Sequence, residues 1–358
     1  MAAGDDAVVL GLDLGGAHLK AALVVHGRIV AVRQVPCRLW EGLDRLEPAF
    51  AAALAGWPQA ASVALTMTGE LADLFPDRTS GVAALIGAVR KRLPGAPLRI
   101  WAGRRGFLEP AAAVAQPMAV ASANWLATAC LAARALPDGL LVDIGSTTTD
   151  LVPFRGGRVV ALGETDAARL DAGELVYQGL TRTPVMAIAA RAPLAGRWRP
   201  LLNELFATSA DLWRLLGRLD EAHDQHPAAD GGAKTLDGSA RRLARMVGQD
   251  LGDADMVAWR ALAAWLAEAQ LRTILDGLHQ VLSRTALPAA APLLGAGCGR
   301  FLVAELARRL ERPCRDLAEL LPAAEPQLAA EAALAAPAAA VALLAAATIR
   351  SASAVKSL

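Results

Sequence analysis

Leu140-Leu-Val-Asp-Ile-Gly-Ser-Thr-Thr-Thr-Asp150 decides the reading of this chain, because an earlier stretch repeats it. Leu10-Gly-Leu-Asp-Leu-Gly-Gly-Ala-His-Leu-Lys20, moved forward by 130 positions, lies on it without a gap, with Asp13 on Asp143 and Gly15 on Gly145. Further on, Gly27-Arg28 falls on Gly157-Arg158 and Val30-Ala31 on Val160-Ala161, so seven of the 22 positions from Leu10 to Ala31 are identical. Acid, glycine and second turn stay in one register. The pattern predicts a duplicated three-stranded β-meander.

The chemistry of that meander follows from its parts. A buried apolar run ends in an aspartate, which a strand interior does not tolerate without a partner. A Gly-rich turn follows, able to take φ > 0 and to aim backbone N–H groups into one concavity. The first copy offers Gly15 and Gly16; the second offers Gly145 with the hydroxyls of Ser146, Thr147, Thr148 and Thr149. Carboxylate, amide cradle and hydroxyls together suit a phosphate with its divalent cation. A plainer reading, two hairpins whose aspartates satisfy turn amides, fits either copy taken alone.

Around this repeat the chain has 358 residues, enough for two domains, with a net charge of +1 and no basic stripe that would suit nucleic acid. The stretch Met1 to Asp6 lacks the features of a signal peptide. The longest apolar run, residues 332–348, is mostly alanine and carries Pro337, which reads as a packed helix and not a membrane span. Cys37, Cys130, Cys298 and Cys314 are scattered without a CxxC pair, the usage of a reduced, cytoplasmic protein.

In order, the pattern predicts a strand–turn–strand–turn–strand meander over 8–35, a helix over 44–55, a short buried strand over 62–66, a helix over 79–93 and a strand over 98–102. Three meandering strands followed by alternating helix and strand describe a ribonuclease-H-like half over 1–121. A helix over 122–135 leads into the second half, 122–337, which carries a mostly helical insert over about 165–285. A C-terminal helix over about 338–350 is expected to return to the first half. Within the insert, His223 and His226 lie in a polar loop, 221–232, that reads either as solvated or as a metal site. Tyr177-Gln-Gly-Leu-Thr-Arg-Thr-Pro184 reads either as a helix end with a turn or as a substrate loop in which Arg182 meets an anion. A third glycine cluster, Gly295, Gly297 and Gly299, precedes a helix and is not the dinucleotide fingerprint, yet a strand, glycines and a helix start favour an anion or nucleotide.

On Asp13-Leu-Gly-Gly16, Asp143 to Asp150 and Leu294-Gly-Ala-Gly297, the chain resembles the superfamily of actin, sugar kinases and heat-shock ATPases. Within it the chain resembles the hydantoinase/oxoprolinase branch, and more narrowly the proteins linked to the tetrahydromethanopterin one-carbon pathway. Thr66-Met-Thr-Gly-Glu-Leu-Ala-Asp73, Ser122-Ala-Asn-Trp125 and Tyr177-x-Gly-x-x-Arg-Thr-Pro184 carry the narrower likeness, which runs from Leu10 to about Ala346. The resemblance implies an α/β fold of duplicated ribonuclease-H-like (actin-like ATPase) halves facing across a cleft. It implies a transferase of methanofuran biosynthesis, joining an aminomethyl-furan methanol diphosphate to the phenol of a γ-glutamyl-tyramine or tyrosine-type acceptor and releasing diphosphate.

In that reading Asp13 and Asp143 hold Mg²⁺, and the two Gly-rich loops take the diphosphate. Asn124, Tyr177, Arg182, Gly295 and Gly297 bind substrate, and Glu70 or Asp73 is the base for the phenol. The first loop, Gly15-Gly16-Ala17-His18, departs from kinase members in lacking a Ser or Thr hydroxyl, with Lys20 as a positive charge instead. This suits a diphosphate substrate better than ATP-driven phosphoryl transfer. An ATP-dependent amide hydrolase and a nucleotide-regulated binding protein stay open as alternatives.

Overall fold

The computed structural model describes residues 8–356; Met1 to Asp6, read above against a signal peptide, lie outside the described residues. Three strands open the chain, β1 (Val9–Leu14), β2 (His18–Val25) and β3 (Arg28–Pro36). Helix α1 (Leu46–Leu54), β4 (Ser62–Met67), α2 (Arg78–Arg92), β5 (Leu98–Trp101) and β6 (Phe107–Leu108) follow. They form one sheet in the order β3-β2-β1-β4-β5-β6, with β1, β4 and β5 parallel and β2 antiparallel to β1. That is the ribonuclease-H-like order. Short helices α3 (Pro110–Val114) and α4 (Pro117–Val120), each begun by a proline that pre-sets helical φ, lead to α5 (Asn124–Ala135).

The repeat is exact in the backbone. Strand β7 (Gly139–Ile144) begins and ends 130 residues after β1, and β8 (Thr149–Arg155) and β9 (Arg158–Val159) succeed it as β2 and β3 succeed β1. The first turn is closed by Gly15 N–H donating to His18 C=O at 2.9 Å, and its copy by Gly145 N–H donating to Thr148 C=O at 2.9 Å. Each second turn has two residues at positive φ: His26 and Gly27 at 51° and 74°, Gly156 and Gly157 at 56° and 71°. Such pairs match the twist of a two-residue hairpin.

The copies diverge in the third strand. Beyond β9 the chain leaves the sheet for α6 (Asp166–Asp171) and returns as β10 (Leu175–Val176), whose Leu175 opposes Asp150 as Gln34 opposes Lys20. The offset has grown from 130 to 141, so eleven added residues split one long strand into two short ones. The hairpin β11 (Arg191–Leu194) and β12 (Arg197–Pro200) and helices α7 (Ser209–Leu215), α8 (Leu236–Met246) and α9 (Met256–Thr285) make up the rest of the insert. Trp259, Leu262, Leu266, Leu243 and Leu212 fill its own core. Strand β13 (Leu293–Ala296), helix α10 (Val303–Arg309) and β14 (Cys314–Asp316) complete the second sheet in the order β10-β8-β7-β13-β14, with β9 also on β8. The fold is therefore α/β, built from duplicated ribonuclease-H-like halves of the actin-like ATPase type with a helical insert in the second.

Loop 221–232 is neither loose nor a metal cluster. Arg214, 5% exposed, donates to both oxygens of Glu221 at 2.8 Å and also binds Asp224, while fully buried Arg242 donates to Asp211 at 2.7 Å and to Asp230 at 3.1 Å. Buried guanidinium groups need this many partners, and the acids of the loop supply them. Among the described residues no group of three or more His, Cys, Asp and Glu is placed to hold a metal ion.

By internal contacts the chain divides into residues 1–141, 152–168 and 315–358 as one unit, and 142–151 with 169–314 as the other. The sequence reading had placed α5 and residues 315–337 in the second half; both fall in the first unit. Helices α11 (Pro326–Leu334) and α12 (Ala336–Lys356) end the described chain. As expected for the C-terminal helix, α12 packs on β1, β2 and β4. The approach is so close that a Cβ on Gly11 would stand 2.1 Å from the carbonyl oxygen of Ala338. Fully buried Ala338, Ala339, Ala340 and Ala342 make that approach possible, so the alanine run has a packing reason. No single helix among the described residues is long and apolar enough to cross a membrane; α11 and α12 reach that composition only as a pair bent by 111°.

Candidate active site

In the first unit, β1 delivers Asp13 to the start of its Gly-rich loop, 2% exposed and directly opposite Lys20 on β2. Lys20 Nζ lies 3.7 Å from Asp13 Oδ2. Gly15 and Gly16 are half-buried, and the chain leaving β3 backs the loop through Leu39 N–H donating to Gly16 C=O at 3.0 Å and Cys37 N–H to Ala17 C=O at 2.8 Å. The hydroxyl missing from this loop arrives from elsewhere. Thr68, just beyond β4, donates its N–H to Leu14 C=O at 3.0 Å, and its Oγ1 lies 3.6 Å from where a Gly15 Cβ would be.

The Thr66 segment continues into Glu70 and Asp73, and the two differ sharply. Asp73 is exposed, and the residue that caps α2 is Asp77, which accepts from Ser80 N–H at 2.8 Å. Glu70 does not sit at an open edge: it is 1% exposed, and its Oε1 accepts from Ser122 N–H at 2.8 Å and lies 3.0 Å from Ser122 Oγ. Burial pushes its carboxyl above the usual range, against the opposing pull of its own amide, Ser122 and Arg78. Two segments 52 residues apart thus meet at one carboxylate. Asn124 opens α5, half-buried, its Oδ1 accepting from Trp125 N–H at 2.8 Å.

In the second unit the sequence reading's residues converge. Asp143, 9% exposed, is the last residue but one of β7, and Gly145 to Thr148 are half-buried beside it. The Tyr177–Pro184 segment lies across this loop. Leu180 N–H donates to Gly145 C=O at 2.9 Å, and Thr181 and Arg182 N–H donate to Ser146 C=O at 3.2 and 2.9 Å. Such proximity demands glycine at 179, where a Cβ would stand 2.5 Å from Ser146 C and O and from Thr147 C. Arg182 reaches Thr147 Oγ1 at 3.4 Å, its pKa drawn down by burial and held up by Tyr177. Tyr177 itself is 61% exposed. From the other side comes the third glycine cluster. Gly297, at φ 78°, passes so near that a Cβ would lie 2.4 Å from Asp143 Oδ1 and from Ile144 O, and Gly299 N–H donates to Ile144 C=O at 2.8 Å.

The duplicated loops carry opposite charges at one position. Lys20 corresponds to Asp150, which pairs with buried Arg169 at 2.8 Å. At Asp13 a lysine stands 3.7 Å from the carboxylate; at Asp143 the Gly297 backbone approaches so closely that no side chain fits at 297. The sequence reading missed Gln270, a buried amide on α9 that donates to Gly179 C=O at 2.9 Å and bonds Trp213 Nε1 at 3.0 Å. A lone glutamine on the buried face of an apolar helix was its only signal.

The family model for hydantoinase/oxoprolinase matches residues 62–346. The chain belongs to the hydantoinase/oxoprolinase family. Among curated relatives, it is 33% identical over 245 residues to the (4-{4-[2-(γ-L-glutamylamino)ethyl]phenoxymethyl}furan-2-yl)methanamine synthase of Methanocaldococcus jannaschii, covering 68% of this chain and 72% of that one. The enzyme of the same name from Methanococcus vannielii is 31% identical over 112 residues, 31% of this chain and half of the relative. Among solved structures, a nucleotide-free acetone carboxylase superposes with a TM-score of 0.50 at 11% identity, over 82% of this chain and 65% of that one. That likeness concerns the fold. For this hydantoinase/oxoprolinase family member, the curated relatives are enzymes named as synthases.

Proposed function

We propose that this family member is a transferase that forms an aryl ether between an aminomethyl-furan methanol diphosphate and the phenol of a γ-glutamyl-tyramine or tyrosine-type acceptor, releasing diphosphate in methanofuran biosynthesis. The relatives' name supports the product class, since it describes a phenol joined through a methylene to a furan. The observation that carries the reading is the cationic side chain of Arg182, bound to Thr147 of the loop that starts at Asp143.

The chemistry asks little covalent work of the protein. The furan oxygen spreads positive charge as the methylene–oxygen bond breaks, the electron pair leaves with diphosphate, and the phenol oxygen forms the new bond while losing its proton. Arg182 and the amides and hydroxyls of Gly145 to Thr148 serve the departing anion, which they can hold with charge-assisted hydrogen bonds. Mg²⁺, when bound, would neutralise further charge on the leaving group. Asp143 fits such a cation: a carboxylate beside a cradle that glycine alone keeps open. Asp13 fits it less well, since Lys20 already offsets its charge. Asp73, the exposed acid of the Thr66 segment, is the candidate acceptor of the phenol proton.

The test is a coupling assay with the furan diphosphate, Mg²⁺ and a panel of phenolic amines, following diphosphate release and ether formation by mass spectrometry. Ether formation with a phenolic amine supports the proposal, and no product with any member of the panel refutes it. A second reading, ATP-dependent amide hydrolysis, is favoured by the close docking of the Gly295–Gly299 segment on Asp143. Phosphate release from ATP and Mg²⁺ in the absence of the furan substrate would select it.

A further inference from the structure

Ser122 is the point from which an inference about proton placement can be drawn. Its Oγ lies 3.0 Å from Glu70 Oε1 and 3.1 Å from Asp166 Oδ2. A serine hydroxyl has one proton, so it can donate to only one of these carboxyls. The other contact is a hydrogen bond only if that carboxyl carries a proton of its own. Asp166 already forms an ion pair with Arg78, whose Nη2 donates to the same Oδ2 at 2.9 Å. Glu70 is left as the proton's owner. Its second oxygen, Oε2, is buried and meets no hydrogen-bond partner among the described residues, a poor setting for a full negative charge.

We propose that Glu70 is held as the neutral carboxylic acid and acts as a positioning residue, clamping Ser122 and with it the wall made by Ala121, Ala123 and Trp125. Ser122 needs a clamp because it is held at φ 51°, a left-handed conformation that is unfavourable for a residue with a side chain. Glu70 supplies it twice over, its Oε1 accepting from the Ser122 N–H at 2.8 Å and meeting the Ser122 Oγ at 3.0 Å. On the other side Trp101 Nε1 donates to Ala123 C=O at 3.1 Å. The segment so fixed lines a hollow of about 300 Å³ together with Met118, Arg104 and Arg105.

The charged groups around Glu70 are Arg78, from the first turn of α2, and Asp166, from α6. Gly81 packs against its backbone, where even a Cβ would stand 2.8 Å from Glu70 O. Burial, the largest influence, raises the Glu70 carboxyl above 4.5, and Arg78 opposes it. A raised acid keeps its full contribution to stability below the unfolded value, loses it progressively as pH rises above about 4.5, and loses no more above the folded value.

The experiment compares the full chain with Glu70→Gln and Glu70→Ala. Thermal unfolding is followed from pH 5 to 8, and the carboxyl C=O stretch is read by infrared difference spectroscopy at pH 7. Glutamine cannot both donate and accept at one atom, so Glu70→Gln should begin below the parent at pH 5. Because it does not titrate, its deficit should shrink as pH rises, and a protonated-carboxyl band present in the parent should vanish in it. Glu70→Ala, with the clamp gone, should lie lower than Glu70→Gln throughout. A deficit for Glu70→Gln that stays constant or widens with pH, or the absence of the protonated band, overturns the proposal. The infrared comparison decides the matter even if Glu70→Ala fails to fold.

Discussion

Replacing Gly179 by alanine tests the core of the second loop's architecture with a single carbon. No backbone strain enters, since Gly179 is not at positive φ, so the effect is purely one of space. The new Cβ would stand 2.5 Å from three backbone atoms of Ser146 and Thr147, where ordinary contact begins near 3.4 Å. Backbone cannot rotate aside, so the 177–184 segment must retreat by roughly 1 Å. That retreat stretches three hydrogen bonds, from the amides of Leu180, Thr181 and Arg182, now 2.9 to 3.2 Å long. At about 1 kcal/mol each, the loss is about 3 kcal/mol. For a unit of this size that is a fall in Tm of roughly 6–12 °C. Arg182 moves with the segment, and a displacement of about 1 Å at an anion-binding group commonly costs about 10²-fold in turnover. Calorimetry gives the first quantity, and titration of diphosphate with Mg²⁺ gives the loss of binding. A Gly179→Ala protein with unchanged Tm and diphosphate affinity would refute the docking of this segment on the loop.

Gly297→Ala should be harsher, because its Cβ meets both the Asp143 carboxylate and the Ile144 carbonyl and its φ of 78° is itself unfavourable. A loss of about 2–5 kcal/mol in urea unfolding is expected, and a loss below about 1 kcal/mol would contradict it. Asp13→Ala and Asp143→Ala should each abolish turnover with far-ultraviolet circular dichroism unchanged; Asp143→Ala should also weaken Mg²⁺-dependent diphosphate binding more than Asp13→Ala does. Equal Mg²⁺ dependence in both would place the cation differently. Arg308 first and Arg309 second hold the Glu305 carboxyl down to about 2, and Arg309 also joins it to Glu268 on α9. A lowered acid stabilises above the unfolded value and loses that contribution as pH falls from about 4.5 toward 2, so Arg309→Met should flatten the acid limb of the stability curve. An unchanged acid limb would show the cluster to be idle.

The repeat was legible because its defining residues are local. Asp13 and Gly15 fix a strand end and a turn within three residues, so their copies at 143 and 145 could be matched without any tertiary knowledge. The return of α12 to the first sheet was legible from the expected duplication alone; the alanine run gave only a helix. The burial of Glu70 was out of reach for the opposite reason. Its partner lies 52 residues away, and nothing in Thr66 to Asp73 tells a buried clamp from an exposed base. The anchoring of loop 221–232 was out of reach in the same manner, since the two arginines that hold it come from α7 and α8. Hairpin β11–β12 escaped notice because Ala195-Gly196 between short, Arg-rich strands makes a weak periodic signal.

The contact between Gly11 and Ala338 sets an order of events during synthesis. Strand β1 emerges from the ribosome long before its cover, since one face of it is covered by a helix made more than three hundred residues later. At about 5–20 residues per second, that strand and its neighbours wait at least some 15 seconds with apolar surface unsheltered. Residues 169–314 carry a core of their own, on which they can collapse while the first sheet is still incomplete. The nascent chain should therefore show its greatest affinity for holding chaperones through residues 9–67, and should release them only when the 336–346 stretch has cleared the exit tunnel.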